Sequence, residues 1–296
     1  MSSIKAPAAE NRALEQEYST RAQIPDFEAI IEEWATKAAT FRVRSRARLD
    51  IPYGDSPAET LDLFMPDDHP IAAVLFIRGG FWRSLDKSVF SSFAEHYVSR
   101  GAMVAVVNYG HSPAVRLKNI VEQVRGSAEW LFRHAKELGL ARRSITIAAH
   151  SAGSHLGAML VATDWSARAP DLPFNLVGGA VFTSGLYDLR PLVDLEFINK
   201  DIGLEIETAT ALSPALLKPA NKIPVFAAVG QLESVAFRWQ TEFLGRQWPD
   251  NVRDIIELEG LNHLATYDEM CRPGSELYQL VLVVSGLDGS DMASRS

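Results

Sequence analysis

The stretch Ile145-Thr-Ile-Ala-Ala-His-Ser-Ala-Gly153 narrows the choice of folds more than any other part of the chain. Ser144 to Ala149 are mostly β-branched or small apolar residues, the make-up of a strand covered on both faces. After Gly153, Leu156, Met159, Leu160 and Ala162 recur at helical spacing. Strand, sharp turn and helix therefore follow one another within a few residues. Small side chains must flank Ser151 in such a turn, because the two backbones come close together. This is the setting in which G-x-S-x-G presents a reactive serine. Ala149 stands where that pattern has its first glycine, one methyl larger. An ordinary strand-to-helix turn can carry the same five residues, so the partners of a reactive serine have to be sought elsewhere.

The alternation extends through most of the chain. Ile71 to Ile77, Ala102 to Val107, Leu176 to Phe182, Pro224 to Val229 and Asp254 to Leu258 read as further strands. Ser88 to Ser99 and Val115 to Leu138 carry apolar residues at helical spacing. Strands alternating with helices predict an α/β fold, a mainly parallel central sheet with helices on both faces. In such sheets the loops at the carboxyl ends of the strands carry the chemistry. Within residues 1–40, Phe27, Ile30, Ile31, Trp34 and Ala38 predict an amphipathic helix packed on the body or over a site entrance. Arg42 to Leu49 and Glu59 to Met65 read as an antiparallel pair at the sheet edge, turning through Tyr53-Gly-Asp-Ser-Pro57. A single domain is expected over residues 41–285. Residues 187–223, with Pro191, Pro214 and Pro219, form either a small lid or a long crossover. A flexible tail is expected over 286–296.

Charge and cysteine usage limit the partners. The net charge is −8, and the nearest approach to a basic block is Arg42, Arg44, Arg46 and Arg48, spaced like the solvent face of one strand. Nucleic acid is therefore not expected as a partner. Cys271 is the single cysteine, so no internal disulfide and no Cys/His zinc cluster is expected. Met1 to Glu17 lacks the apolar core of a secretory signal, and no apolar run approaches the roughly 18 residues of a membrane span. These features predict a cytoplasmic protein that meets a small molecule rather than a membrane, and leave a homodimer open.

A reactive serine needs a base, and the base needs an orienting acid. His263 follows the last predicted strand, in Glu259-Gly-Leu-Asn-His-Leu264. His155 is the other histidine downstream of Ser151, but it sits on the elbow helix and is expected to point into packing. Glu233 lies in the loop leaving the penultimate strand, and Asp188 is the reserve acid. Serine, acid and base in this chain order match one known arrangement of the triad. Ile77-Arg-Gly-Gly-Phe-Trp82 follows an earlier strand, where the backbone of Gly79, Gly80 and Phe81 can meet a developing oxyanion together with the amide of Ala152. No step of such a reaction calls for a metal or a cofactor.

Taken together, these residues resemble the α/β-hydrolase superfamily, and more narrowly its kynurenine formamidase-like (arylformamidase-like) branch. The matching pieces include Glu59-Thr-Leu-Asp-Leu-Phe64, Gly79-Gly-Phe-Trp82 with Asp86-Lys87, Asn108-Tyr109, His150-Ser-Ala-Gly-Ser-His-Leu156, Ala162-Thr-Asp-Trp165, Ser184-Gly-Leu-Tyr-Asp188, Glu233-Ser234 and His263. The resemblance covers roughly residues 14 to 285. It implies a serine hydrolase acting on an aryl formamide such as N-formylkynurenine, or on other small aromatic esters, carbamates or anilides. A ligand-binding relative without turnover is the remaining alternative. Phe81, Trp82, Trp165 and Tyr187, with Trp239, are candidates for an aromatic pocket. Two departures stand out: Ala149 in the elbow, and Arg78 where the branch has a histidine. Arg78 either pairs with a substrate carboxylate or braces the oxyanion loop through a structural ion pair.

Overall fold

Ala72–Ile77, Ala102–Val107 and Ile145–His150 are buried along their whole lengths, which only a strand covered on both faces can be. The computed structural model, which describes residues 8–140 and 144–288, places these three at the centre of an eight-stranded sheet. The strands are β1 (Ala47–Pro52), β2 (Thr60–Phe64), β3 (Ala72–Ile77), β4 (Ala102–Val107), β5 (Ile145–His150), β6 (Val177–Thr183), β7 (Val225–Gly230) and β8 (Val252–Leu258). Their order is β1-β2-β4-β3-β5-β6-β7-β8. β1–β2 and β2–β4 are antiparallel, and every pair from β4 through β8 is parallel. The carboxyl ends of β3, β5, β6 and β7 therefore open on the same edge.

Alternation along each strand feeds two cores. Ala73, Leu75 and Ile77 of β3 face one core, which also takes Ile120, Val124 and Leu131 of the helix Leu117–His134 and most of the elbow helix Ala152–Val161. Ala72, Val74 and Phe76 face the other, filled by Trp34, Phe90, Tyr97, Tyr267 and Tyr278. Among the described residues no helix is long and apolar enough to cross a membrane.

Three stretches differ from the sequence reading. Arg42 and Arg44 belong to the helix Phe27–Arg44, not to a strand, and β1 begins only at Ala47. The stripe Trp34, Ala38, Phe41 is buried at helical spacing, and Phe41 packs on Phe64 of β2 with ring centroids 5.1 Å apart. That burial outweighs the period-two pattern of the arginines. Lys87–Ala94 is a 3₁₀ helix that gives way to an α-turn, Glu95–Val98. Lys87, Phe90 and Phe93, three residues apart, eclipse one another and all point inward. At the other end, the helices Ala265–Cys271 and Glu276–Ser285 complete the second core. Gly286 then closes the last helix in the left-handed region, and Leu287 is buried, so the tail expected from 286 is still packed at Leu287. Residues 289–296 of that tail lie outside the described residues.

Two family-like pieces meet in this frame. The ammonium of Lys87 lies 3.0 Å from Oδ1 of Asp62 on β2 and 2.5 Å from Oδ1 of Asp50, and Lys87 and Asp62 are both buried. Burial is the largest influence on Lys87 and opposes its charge, but the carboxylates of Asp50 and Asp62 outweigh it and hold the lysine above its ordinary pKa. Lys87→Met should destabilise the fold by about 3 kcal/mol, because it leaves the Asp62 charge buried without its main partner. Urea denaturation checks this, and a loss below about 1 kcal/mol would count against the pairing.

Candidate active site

Ser151 sits at the end of β5 with φ +58 and ψ −126. That backbone is strained for any residue with a Cβ, and it lifts the side chain out of the strand–helix junction. The junction has no spare room. A Cβ on Gly153 would stand 2.0 Å from the Ile77 carbonyl oxygen, and one on Gly79 would stand 2.9 Å from Cβ of Ser151. Ala149 fits where a glycine is usual because it lies opposite Gly157, where an added Cβ would still clear its methyl by 3.5 Å.

The carboxyl edge of the sheet brings the distant partners to this serine. His263 Nε2 is 2.9 Å from Ser151 Oγ, and His263 Nδ1 is 2.6 Å from Glu233 Oε2. The carboxylate can only accept, so Nδ1 carries the proton and Nε2 is free to accept from the hydroxyl. Glu233 is also held by the Gly230 amide at 2.8 Å on Oε1. Asp188 is engaged by Arg190 instead, with Oδ2 2.7 Å from its Nη2.

The loop after β3 lies against the serine. Gly80, Phe81 and Trp82 have φ of +110, +47 and +57, a run that turns successive amides away from regular pairing. Among the described residues the amides of Gly80 and Phe81 have no acceptor within the protein, and the Ala152 amide opens its helix without an intrahelical partner. These donors border the site where an attacked carbonyl would develop negative charge.

Arg78 does not line the cavity beside Ser151. It is fully buried, with its guanidinium 4.0 Å from the Tyr109 ring centroid. It donates to Asn108 Oδ1 at 2.8 and 3.0 Å, to the Gly79 carbonyl at 3.1 Å and to the Ser84 carbonyl at 2.9 Å. Among the described residues it makes no direct ion pair: Asn108 stands between it and Asp86, donating Nδ2–H to Asp86 Oδ2 at 2.8 Å. Arg78 thus ties both ends of the loop, at Gly79 and Ser84, to the turn after β4, at Asn108 and Tyr109.

Three aromatic candidates are also core rather than pocket. Trp82 is buried behind the loop and donates Nε1–H to His155 Nδ1 at 3.1 Å. Trp165 and Tyr187 are buried in the first core, and Trp239 stacks on Phe243 at 4.8 Å. Large rings of this kind fill interior volume, and composition alone does not separate that use from contact with a ligand.

The actual cavity, about 450 Å³, has Ser151, His263, Gly79 and Phe81 at its base. Its walls come partly from the helix expected on the body or over a site entrance, and partly from residues that the sequence reading did not single out. Phe27, Ile31 and Trp34 come from the helix Phe27–Arg44, Thr20 and Arg21 from the short helix Thr20–Gln23 before it with Ser19 at its start, and Phe197 from the 187–223 segment. The helical stripe through Phe27 and Trp34 was the available signal, but one stripe does not say which of its members face a cavity. The N-terminal segment is tied down by Gln240, whose Nε2 donates to Tyr18 Oη at 3.0 Å, and by Glu17, which accepts from the Ala236 amide at 3.1 Å.

An eight-stranded α/β sheet with an elbow serine, an imidazole upon it and a carboxylate behind that imidazole defines an α/β-hydrolase. The comparisons agree. The BD-FAE family model matches residues 61–173. Kynurenine formamidase of Danio rerio is 31% identical, aligning 70% of this chain with 71% of its own, and that of Salmo salar is 29% identical over 85% and 87%. A solved structure from Silicibacter sp. tm1040, provisionally assigned as a thioesterase, superposes with a TM-score of 0.79 at 30% identity, covering 92% of this chain and 98% of that one. The chain belongs to the kynurenine formamidase family, and it is a hydrolase of amide or ester bonds.

Two predictions follow from the site's polar groups. Arg78→Ala should lower kcat on the order of 10²-fold with little change in KM, since the loop amides lose their brace. A raised KM at wild-type kcat would instead restore a role in binding. Burial, and then the charge of His263, pushes His150 down to about 3, and burial pushes His155 down to about 4. The unfolded chain takes up protons near pH 6.5 that these rings refuse when folded, so stability is full above that value and is lost as pH falls toward 4. Denaturation at pH 7 and pH 5 should differ by about 2 kcal/mol for each ring. A flat profile would show that neither ring is held neutral.

Proposed function

We propose that this protein hydrolyses an aryl formamide such as N-formylkynurenine through an acyl-enzyme formed on Ser151. The observation that carries the proposal is the 2.9 Å contact of His263 Nε2 with Ser151 Oγ at the base of an aromatic-walled cavity. Ser151 attacks the formyl carbonyl while His263 takes its proton. Glu233 stabilises the imidazolium, and the amides of Gly80, Phe81 and Ala152 receive the oxyanion. The C–N bond then breaks, His263 returns the proton to the leaving aromatic amine, and water attacks the formyl-serine to release formate.

The cavity supports the substrate class. Phe27, Trp34, Phe81 and Phe197 offer faces and edges to an aromatic ring. Arg21 and Arg83 also stand on its wall, each held by a carboxylate just outside it, Glu28 for Arg21 and Asp201 for Arg83. The relatives from salmon and zebrafish are named for the same reaction. Hydrolysis of a small ester or thioester is the second reading, favoured by the Silicibacter structure that covers 98% of its own chain here. With a single cysteine and no membrane-crossing helix among the described residues, action in the cytoplasm is part of the proposal.

Purified protein assayed side by side with N-formylkynurenine and p-nitrophenyl acetate should give the larger kcat/KM with the formamide. Ser151→Ala should lose at least about 10³-fold in kcat on either substrate. Turnover of the ester alone would move the assignment to an esterase, and a Ser151→Ala protein as active as wild type would remove the acyl-enzyme altogether.

A further inference from the structure

Ser184 holds a backbone that its side chain disfavours. Its φ is +55, in the left-handed region where glycine is the default and a Cβ is strained. It is fully buried just beyond β6, so contact with water does not explain a polar residue there. What serine adds over glycine at this position is a Cβ, which the backbone disfavours, and the one hydroxyl it carries. That hydroxyl lies 2.6 Å from Glu233 Oε1 and 2.8 Å from Thr266 Oγ1.

The available protons set the direction of these contacts. The Glu233 carboxylate only accepts, so Ser184 O–H points at Oε1. Thr266 has one proton and two neighbours for it, Ser184 Oγ and the His263 carbonyl oxygen at 2.9 Å. The His263 carbonyl can accept from both His150 Nε2–H at 2.8 Å and Thr266, and whichever way the Thr266 proton points, the Ser184 proton remains on Oε1. Oε1 therefore takes two donors, Ser184 O–H and the Gly230 amide at 2.8 Å, and Oε2 is left to the imidazole at 2.6 Å. The two donors come from the ends of neighbouring parallel strands, β6 and β7, and fix the rotation of the carboxyl group between them.

We propose that Ser184 is a positioning residue for the acid: its hydroxyl holds the Glu233 carboxylate in the plane that presents Oε2 to His263. The strained backbone persists because the hydroxyl cannot be placed on a glycine. This rests on the reading of Ser151, His263 and Glu233 as the catalytic groups. It gives the piece Ser184-Gly-Leu-Tyr-Asp188 a task that involves no contact with substrate.

Ser184→Gly separates this role from a structural one, because it removes the hydroxyl and relieves the strain together. With p-nitrophenyl acetate as the probe, kcat should fall about 10- to 100-fold, the scale of a lost hydrogen bond to a charged group. KM should stay within about twofold and Tm should equal or exceed that of wild type. Ser184→Cys, with a weaker donor, should lie between the two. A Ser184→Gly protein with wild-type kcat would overturn the inference, and so would a kcat loss accompanied by a lower Tm. Ser151→Ala in the same assay keeps the two readings apart. If it is inactive while Ser184→Gly matches wild type, only the role of Ser184 fails. If it is as active as wild type, the catalytic reading falls and this inference falls with it.

Discussion

The contact on which the rest of the site depends is the approach of the elbow helix to the end of β3. With no Cβ at Gly153, the helix backbone comes directly against the carbonyls of Ile77 and Arg78. That closeness sets the oxyanion loop beside Ser151 and makes the serine adopt its left-handed turn. β5 then lies between β3 and β6, so the acid's clamp at the end of β6 and the acid itself after β7 fall on one side of the serine, with the oxyanion loop on the other. The geometry of a few residues at one junction thereby places groups drawn from four strand ends.

Charge is handled in the same region by enclosing it. Arg78 is permanently charged, yet its neighbours are carbonyls, an amide oxygen, a histidine ring and a tyrosine face rather than a carboxylate. Because the guanidinium only donates, His111 must offer it an unprotonated Nε2, at 2.8 Å. His150 and His155 are likewise buried neutral rings that each meet a carbonyl through Nε2. Of these rings His150 touches His263 itself, through the His263 carbonyl. A histidine at position 78 could not span the same set of acceptors, which accounts for the larger arginine being accommodated without entering the cavity.

Legibility in the sequence followed the range of the forces involved. Strand runs such as Ala102–Val107 were readable because burial on both faces leaves a continuous apolar run. The stretch Arg42 to Arg44 misled because its own period is two, while the burial that decides it involves Phe41 and a ring on β2 far along the chain. Glu233 and His263 could be singled out from chain order and strand ends alone. Trp82, Trp165 and Tyr187 could not be sorted from pocket residues such as Trp34 and Phe197, because an aromatic side chain has the same local pattern in a core as on a cavity wall.

By itself the sequence determined the α/β alternation, the elbow at Ser151 and the chain order in which Ser151, Glu233 and His263 follow strand ends, since these depend on neighbours a few residues apart and on where strands end. The tertiary structure alone decided which aromatic rings line the cavity, that the expected N-terminal helix lies at the cavity and not merely on the body, that Arg78 is enclosed beneath the loop, and that the Ser184 hydroxyl meets Glu233. Each of those rests on contacts between segments distant in the chain, whose strength comes from burial and hydrogen-bond partners that no local spacing encodes.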